Sequence, residues 1–120
     1  MKTLILLILM ATTLSDQPRK VLLFFNKYGE KQMKSQVKNL NTQKTGMKEM
    51  DIEVVCIPYS KENAAQFKQW DVDTADKLTF ILVGRDGGEK HRSIELVTSE
   101  KLFGLIDAMP MRKSEMKKVL

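Results

Sequence analysis

The stretch from Leu78 to Arg92 constrains this chain more than any other. Leu78-Thr79-Phe80-Ile81-Leu82-Val83 is rich in β-branched and aromatic residues. It runs into Gly84-Arg85-Asp86-Gly87-Gly88 and then into the polar run Glu89-Lys90-His91-Arg92. An Asp-Gly pair between two strand-like runs marks a hairpin, because the tight turn needs a positive φ that glycine adopts without strain. Asp86, Gly87 and Gly88 are therefore read as the structural turn. Alternate residues of a strand share a face. Leu78, Phe80 and Leu82 fall on one face, and Ile81 and Val83 on the other. A strand apolar on both faces belongs inside a sheet covered on both sides. The polar second run is expected at a sheet edge.

The rest of the chain supplies elements to cover such a strand. Val21-Leu22-Leu23-Phe24-Phe25 has no polar face and is read as a second central strand. Glu30 to Leu40 carries Met33, Val37 and Leu40 at helical spacing, and Gly46 is expected to end or interrupt that helix. Ile52-Glu53-Val54-Val55-Cys56-Ile57 is a third strand, stopped by Pro58. Cys56 shares a face with Ile52 and Val54 and is expected in the core. Ser60 is a candidate cap for a short helix that turns Ala64, Phe67 and Trp70 inward. Thr98 or Ser99 caps a clear helix with the apolar stripe Leu102, Phe103, Leu105, Ile106 and Met109. Pro110 ends that helix or opens a last short one. The order is β-α-β-α-β-β-α, and its first strand-helix-strand unit favours a right-handed parallel crossover. The predicted fold is α/β: a mixed four-stranded sheet with helices on both faces, the arrangement of a thioredoxin-like core.

The 120 residues suffice for one domain, and a hydrophobic content of 42% is enough for a packed core. A single Cys excludes an internal disulfide framework and any Cys-rich metal site. The N-terminus is a separate object. Met1-Lys2, the apolar run Thr3 to Met10 and the small residues through Ser15 read as a secretory signal peptide over residues 1–15. The cut is expected near Ser15–Asp16, leaving residues 16–120 as one domain. The run is short for a membrane helix. The expectation is therefore a secreted or periplasmic chain with no stable membrane span once the signal is removed. The alternative is a buried first strand or helix of the domain. A helix here would lack a polar face, and so long a strand would need full burial.

Two stretches together resemble a known family. They are Leu82-Val83-Gly84-Arg85-Asp86-Gly87-Gly88-Glu89-Lys90 and Leu102 to Met116, within which Leu105-Ile106-Asp107-Ala108-Met109-Pro110-Met111-Arg112-Lys113-Ser114-Glu115-Met116 is the distinctive part. They are similar to an uncharacterised thioredoxin-like, peroxiredoxin-related domain family. That family occurs in short secreted bacterial proteins and in animal extracellular-matrix and sushi-repeat-containing proteins. Arg85 stands where the family usually has Lys, and Lys113 where it has a second Arg. Both keep the charge, but Lys does not reproduce a bidentate guanidinium contact. The resemblance spans roughly Arg19 to Lys117. It implies the thioredoxin-like fold and brings no defined active site.

The residues themselves argue against thiol chemistry. A thioredoxin-type enzyme needs a Cys-x-x-Cys pair at the start of the helix after the first core strand, where the helix N-terminus lowers a thiol pKa. The corresponding stretch, Asn26-Lys27-Tyr28-Gly29-Glu30-Lys31-Gln32, has no sulfur. The customary proline before the central hairpin is also missing from Asp76-Lys77-Leu78. Cys56 is the one remaining thiol, in an apolar setting that would raise its pKa. His91 has no nucleophile motif with it and is expected as solvated surface. His91, Asp86 and Glu89 do not form a defined metal site. Asp86-Gly87-Gly88 lacks the sequel of a phosphate loop. No cofactor is implied.

Arg85, Lys90, Arg92, Arg112 and Lys113 are the candidate binding residues, on the reading that hairpin and closing helix share a basic patch. The competing reading is a solvated face with helix C-terminal charges. The chain's +5 charge permits weak attraction to polyanions. Nucleic acid is not expected, because aromatics do not interleave with the basic residues. The leading function is a secreted, non-catalytic binding module for a protein or an anionic envelope or matrix polymer. The alternative is a divergent thiol oxidoreductase or peroxide-handling enzyme using Cys56. A structural module without a ligand is the third reading. The sequence does not fix the oligomeric state.

Overall fold

The computed structural model describes residues 17–119. The proposed signal segment, residues 1–15, lies outside the described residues. The elements are β1 (Arg19–Phe25), α1 (Glu30–Asn41), α2 (Lys44–Glu49), β2 (Ile52–Pro58), α3 (Ala64–Gln69), β3 (Leu78–Val83), β4 (Glu89–Ser93), α4 (Ser99–Asp107) and α5 (Pro110–Val119). The sheet order is β2-β1-β3-β4. β1 and β2 run parallel, with Val21 beside Val54 and Leu23 beside Cys56. β3 is antiparallel to both β1 and β4.

The two central strands are the two runs with no polar face, and burial explains why. Every residue of β3 is buried, as is β1 from Val21 to Phe24. On one face Val21, Leu23, Phe80 and Leu82 pack under Leu40 of α1, Met47 of α2, and Leu102 and Ile106 of α4. On the other, Leu22, Phe24, Ile81 and Val83 pack under Phe67 and Val72, contributed by α3 and the loop after it. Phe24 and Phe67 meet edge to face, with ring centroids 4.9 Å apart. Fully burying one such side chain stabilises by about 1.5–3 kcal/mol.

Local chemistry sets the element ends. Gly87 has φ +83°, and Asp86 Oδ1 accepts from Gly88 N–H at 2.9 Å, closing the hairpin turn. Thr98 is the N-cap of α4, its hydroxyl accepting from Lys101 N–H at 3.2 Å. Pro110 opens α5, where its missing N–H is no loss.

Four expectations need correction. Gly46 does not end the helix; it lies inside α2, where an added Cβ would stand 2.8 Å from the Phe103 ring. It is the seat of an aromatic side chain from α4. Ser60 does not cap α3 directly: its hydroxyl accepts from Asn63 N–H at 3.3 Å, one turn ahead of the helix. Cys56 is exposed, not in the core. β2 is an edge strand of the sheet, so Ile52 and Val54 are only half-buried and Cys56 on the same face is exposed. His91 is half-buried rather than solvated, and its Nε2 is sealed without a hydrogen-bond partner among the described residues.

Candidate functional site

The place where a dithiol would sit is filled by main-chain contacts. Asn26 follows β1, and its N–H donates to the Lys77 carbonyl at 3.2 Å. Its side-chain amide donates to the Thr74 carbonyl at 3.1 Å, and its Oδ1 accepts from Tyr28 N–H at 2.9 Å. Gly29 then approaches Lys77 so closely that a Cβ on it would stand 1.7 Å from the Lys77 oxygen. The turn ahead of α1 is thus pressed against the loop ahead of β3. Cys56 is on the edge strand β2, and partial burial pushes its thiol pKa up. A thiol so placed is mostly protonated at neutral pH and is a poor nucleophile.

Among the described residues, the same end of the sheet carries the most exposed large apolar side chains. β1 and β2 end there, β3 begins there and β4 ends there. Tyr28, Tyr59, Ile94 and Leu96 lie in the segments at this end, and each is more than half exposed. Ile94 and Leu96 line a groove of about 260 Å³ with Gln32 and Leu78. Tyr59 is held by an edge-to-face contact with Phe67 at 5.2 Å.

The candidate basic residues do not form one array. A β-bulge separates them: Leu82 pairs with His91 but Val83 pairs with Glu89, leaving Lys90 as the extra residue. Without the bulge, Lys90 and Arg92 would share a face by simple alternation. Instead Arg92 is opposite Ile81, on the α3 side of the sheet. There it donates to the Trp70 and Asp71 carbonyls and pairs with Glu89 at 2.8 Å. Lys90 joins Arg19, Gly84, Arg85, Asp86, Met109 and Pro110 around a cleft of about 230 Å³. Arg92 is thus separated from the other four candidates.

Arg85 and Arg112 do come together, through a carboxylate. Glu115 of α5 accepts on Oε2 from Arg85 Nε at 3.0 Å and from Arg19 Nη2 at 3.1 Å, and Arg112 Nη1 is 3.5 Å from Oε1. Arg19 is 1% exposed and also donates to the Met50 carbonyl at 2.7 Å. Arg85 pairs with Asp51 at 2.8 Å, Arg112 with Glu49 at 3.2 Å and Asp107 at 3.4 Å, and Lys90 with Asp86 at 2.8 Å. Burial alone would raise the Glu115 pKa. The Arg19 and Arg85 guanidinium groups overcome it and hold the carboxyl below its usual range. Lys113 is exposed on α5. Arg19, Arg85, Lys90 and Arg112 each face a carboxylate, so these four form an ion-pair knot rather than an open positive patch.

Arg19, Glu115 and Gln36 escaped the sequence reading. Arg19 and Glu115 lie 96 positions apart, and no local pattern connects them. Gln36 looks like any polar helix residue, yet it is fully buried. Its Nε2 donates to the Val97 carbonyl at 2.7 Å and its Oε1 accepts from Val97 N–H at 2.8 Å.

A mixed four-stranded sheet, helices on both faces and a helix start placed after the first core strand define a thioredoxin-like fold, here without a Cys-x-x-Cys pair. The family model of a domain of unknown function, DUF4174, matches residues 11–115, and the chain belongs to that family. Three solved structures are similar to it. One is described as a malarial protein, 23% identical, with a TM-score of 0.58 over 76% of this chain and 96% of that one. Another is thioredoxin-2, described as a component of the malaria parasite protein secretion machinery, 20% identical, with a TM-score of 0.57 over 77% and 84%. The third is Trxlp from Edwardsiella tarda EIB202, 19% identical, with a TM-score of 0.55 over 82% and 91%. At these identities the likeness establishes the fold. No curated protein matches. Among the described residues no helix is long and apolar enough to cross a membrane.

Proposed function

We propose that this chain is a secreted, non-catalytic thioredoxin-like module that binds a protein partner through the end of the sheet carrying Tyr28, Tyr59, Ile94 and Leu96. The observation that carries the reading is the pairing of two features at one place. The helix start that would hold a dithiol has no sulfur and is packed against Lys77, while Tyr28 in that turn and Tyr59, Ile94 and Leu96 in the segments at the same end of the sheet are exposed. Apolar and aromatic side chains on a surface favour a protein partner. The version with an anionic envelope or matrix polymer has less support, because Arg85, Lys90, Arg92 and Arg112 are all engaged by carboxylates. Export rests on the charge-then-apolar pattern of residues 1–15.

Photo-crosslinking tests the binding role. A crosslinking residue at Tyr28 or Ile94 is expected to trap adducts of defined mass in the native compartment, and one at exposed Lys113 is not. Equal yields at all three positions would remove the reading. Intact-mass analysis of the fractionated protein should show loss of residues 1–15 in an extracytoplasmic fraction. Disulfide reduction and peroxide consumption are expected to be the same for the native chain and Cys56→Ser. Turnover lost in Cys56→Ser would restore the enzyme alternative. Salt-sensitive retention on an anionic resin that is lost in Lys113→Gln would favour the polymer version.

A further inference from the structure

The sheet ends at β2, whose outer side has no strand beside it among the described residues. Two hydrogen bonds fix the direction of its main chain. Arg19 N–H donates to the Asp51 carbonyl at 2.9 Å, and Tyr59 N–H donates to the Phe25 carbonyl at 2.8 Å. The N–H and C=O of one strand residue point to the same side, and those of the next residue point to the other. Glu53, Val55 and Ile57 are therefore turned toward β1. Ile52, Val54 and Cys56 present both groups outward, and Pro58 offers no N–H. The β1–β2 register is continuous, so no bulge twists this margin away.

Edge strands are usually guarded by charge, proline or a bulge, because open N–H and C=O groups invite another strand. β2 has one charged residue, Glu53, and its only proline lies at its end. Grooves of mixed polar and apolar lining flank it on both faces, with Lys44, Lys48 and Asp51 on one and Lys20 and Gln66 on the other. One, of about 420 Å³, is lined in part by Met47, Ile52 and Val54. The other, of about 290 Å³, is lined in part by Leu22, Val55, Ile57 and Trp70.

We propose that β2 pairs antiparallel with β2 of a second copy of this chain, about a two-fold axis at Val54, joining the two sheets into one. The open set Ile52, Val54 and Cys56 is symmetric about Val54. Under that axis each outward N–H finds an outward C=O, as an isologous contact requires. Ile52 is then opposite Cys56 of the second copy, and Val54 opposite its own equivalent. Glu53 is opposite Val55 of the second copy, so like charges are not opposed. In this register the two Cys56 α-carbons are roughly 14 Å apart. That exceeds the ~7 Å limit for a disulfide, and the pairing needs no oxidant.

Light scattering and sedimentation of the full chain over a concentration series test this. The expected result is a dimer that dissociates on dilution. Val54→Pro removes an outward-facing N–H, which an edge strand tolerates, and replaces the half-buried Val54 side chain with the apolar proline ring. It should leave the far-ultraviolet spectrum unchanged and give a monomer. Cys56→Pro carries the same test one outward position along, should Val54→Pro fail to fold. Spin labels on the native Cys56 give a readout that needs no proline: a short inter-label distance consistent with roughly 14 Å between the labelled backbones. A monomer at every concentration overturns the proposal. So does a dimer that survives in a folded proline variant, or labels with no short-distance population. A monomer whose edge is covered by residues 1–16 or by a foreign peptide counts among the overturning outcomes.

Discussion

A single carboxylate, Glu115, neutralises a guanidinium that the fold has withdrawn from water. Arg19 is 1% exposed, and beyond one carbonyl its anchor is Glu115 Oε2. Removing one partner of such a pair strands the other charge, which costs more than the pair is worth intact. Glu115 is 31% exposed, so water offsets part of the loss. Glu115→Gln is expected to lower stability by roughly 2–3 kcal/mol in urea denaturation. Lys113→Gln, two positions away and exposed, should change it by less than about 0.5 kcal/mol. Cys56 gives a second residue-scale expectation. Partial burial raises its pKa above the ordinary 9.0, so its rate of alkylation by a maleimide should have a midpoint above that pH. A midpoint below it would mean an activated thiol.

Between elements, Gln36 does for α1 what a strand neighbour does for a strand. It satisfies both main-chain groups of Val97 and thereby ties the loop ahead of α4 to the middle of α1. Gln36→Leu keeps the volume but leaves a buried N–H and C=O unpaired. The expected cost is roughly 2–4 kcal/mol, with faster amide exchange at Val97. Such ties explain which parts of the architecture were legible in the sequence. The runs Val21–Phe25 and Leu78–Val83, the Gly87 turn and the Thr98 cap are local patterns, and the structure has them where expected. Lys90 is the contrary case. Its face depends on a one-residue bulge opposite Val83, and alternation counted along β4 alone puts it with Arg92. Cys56 was misplaced for a related reason, since apolar neighbours in a strand do not say which strand is outermost. Gly46 reads as a helix end until the Phe103 ring that fills its missing side chain is known.

At the scale of the whole molecule, the Arg19–Glu115 contact joins the first strand to the last helix and gives stability an acid limb. Glu115 has a folded pKa below its ordinary value near 4.5, and so does Glu89 beside Arg92. A carboxyl depressed in the folded state contributes stability above its unfolded pKa and loses it as pH falls through the folded one. The melting temperature should therefore hold from neutrality to about pH 5 and fall below 4.5. Glu115→Gln should show a shallower fall, and an equally steep one would mean that other groups set the limb. The corner around Glu115 also bears on what the scaffold presents to solvent: Arg19, Arg85 and Arg112 are each turned to a carboxylate, and the opposite end of the sheet carries the exposed Tyr28, Tyr59, Ile94 and Leu96. That end has one more consequence, for anyone wishing to graft redox chemistry onto this scaffold. Gly29 rests on the Lys77 oxygen with no space for a β-carbon. Cysteines at positions 26 and 29 would therefore force the two loops apart, whereas a pair at 27 and 30 avoids the obstruction. The route by which so small a scaffold regains a reactive sulfur pair is narrowed by one missing methylene.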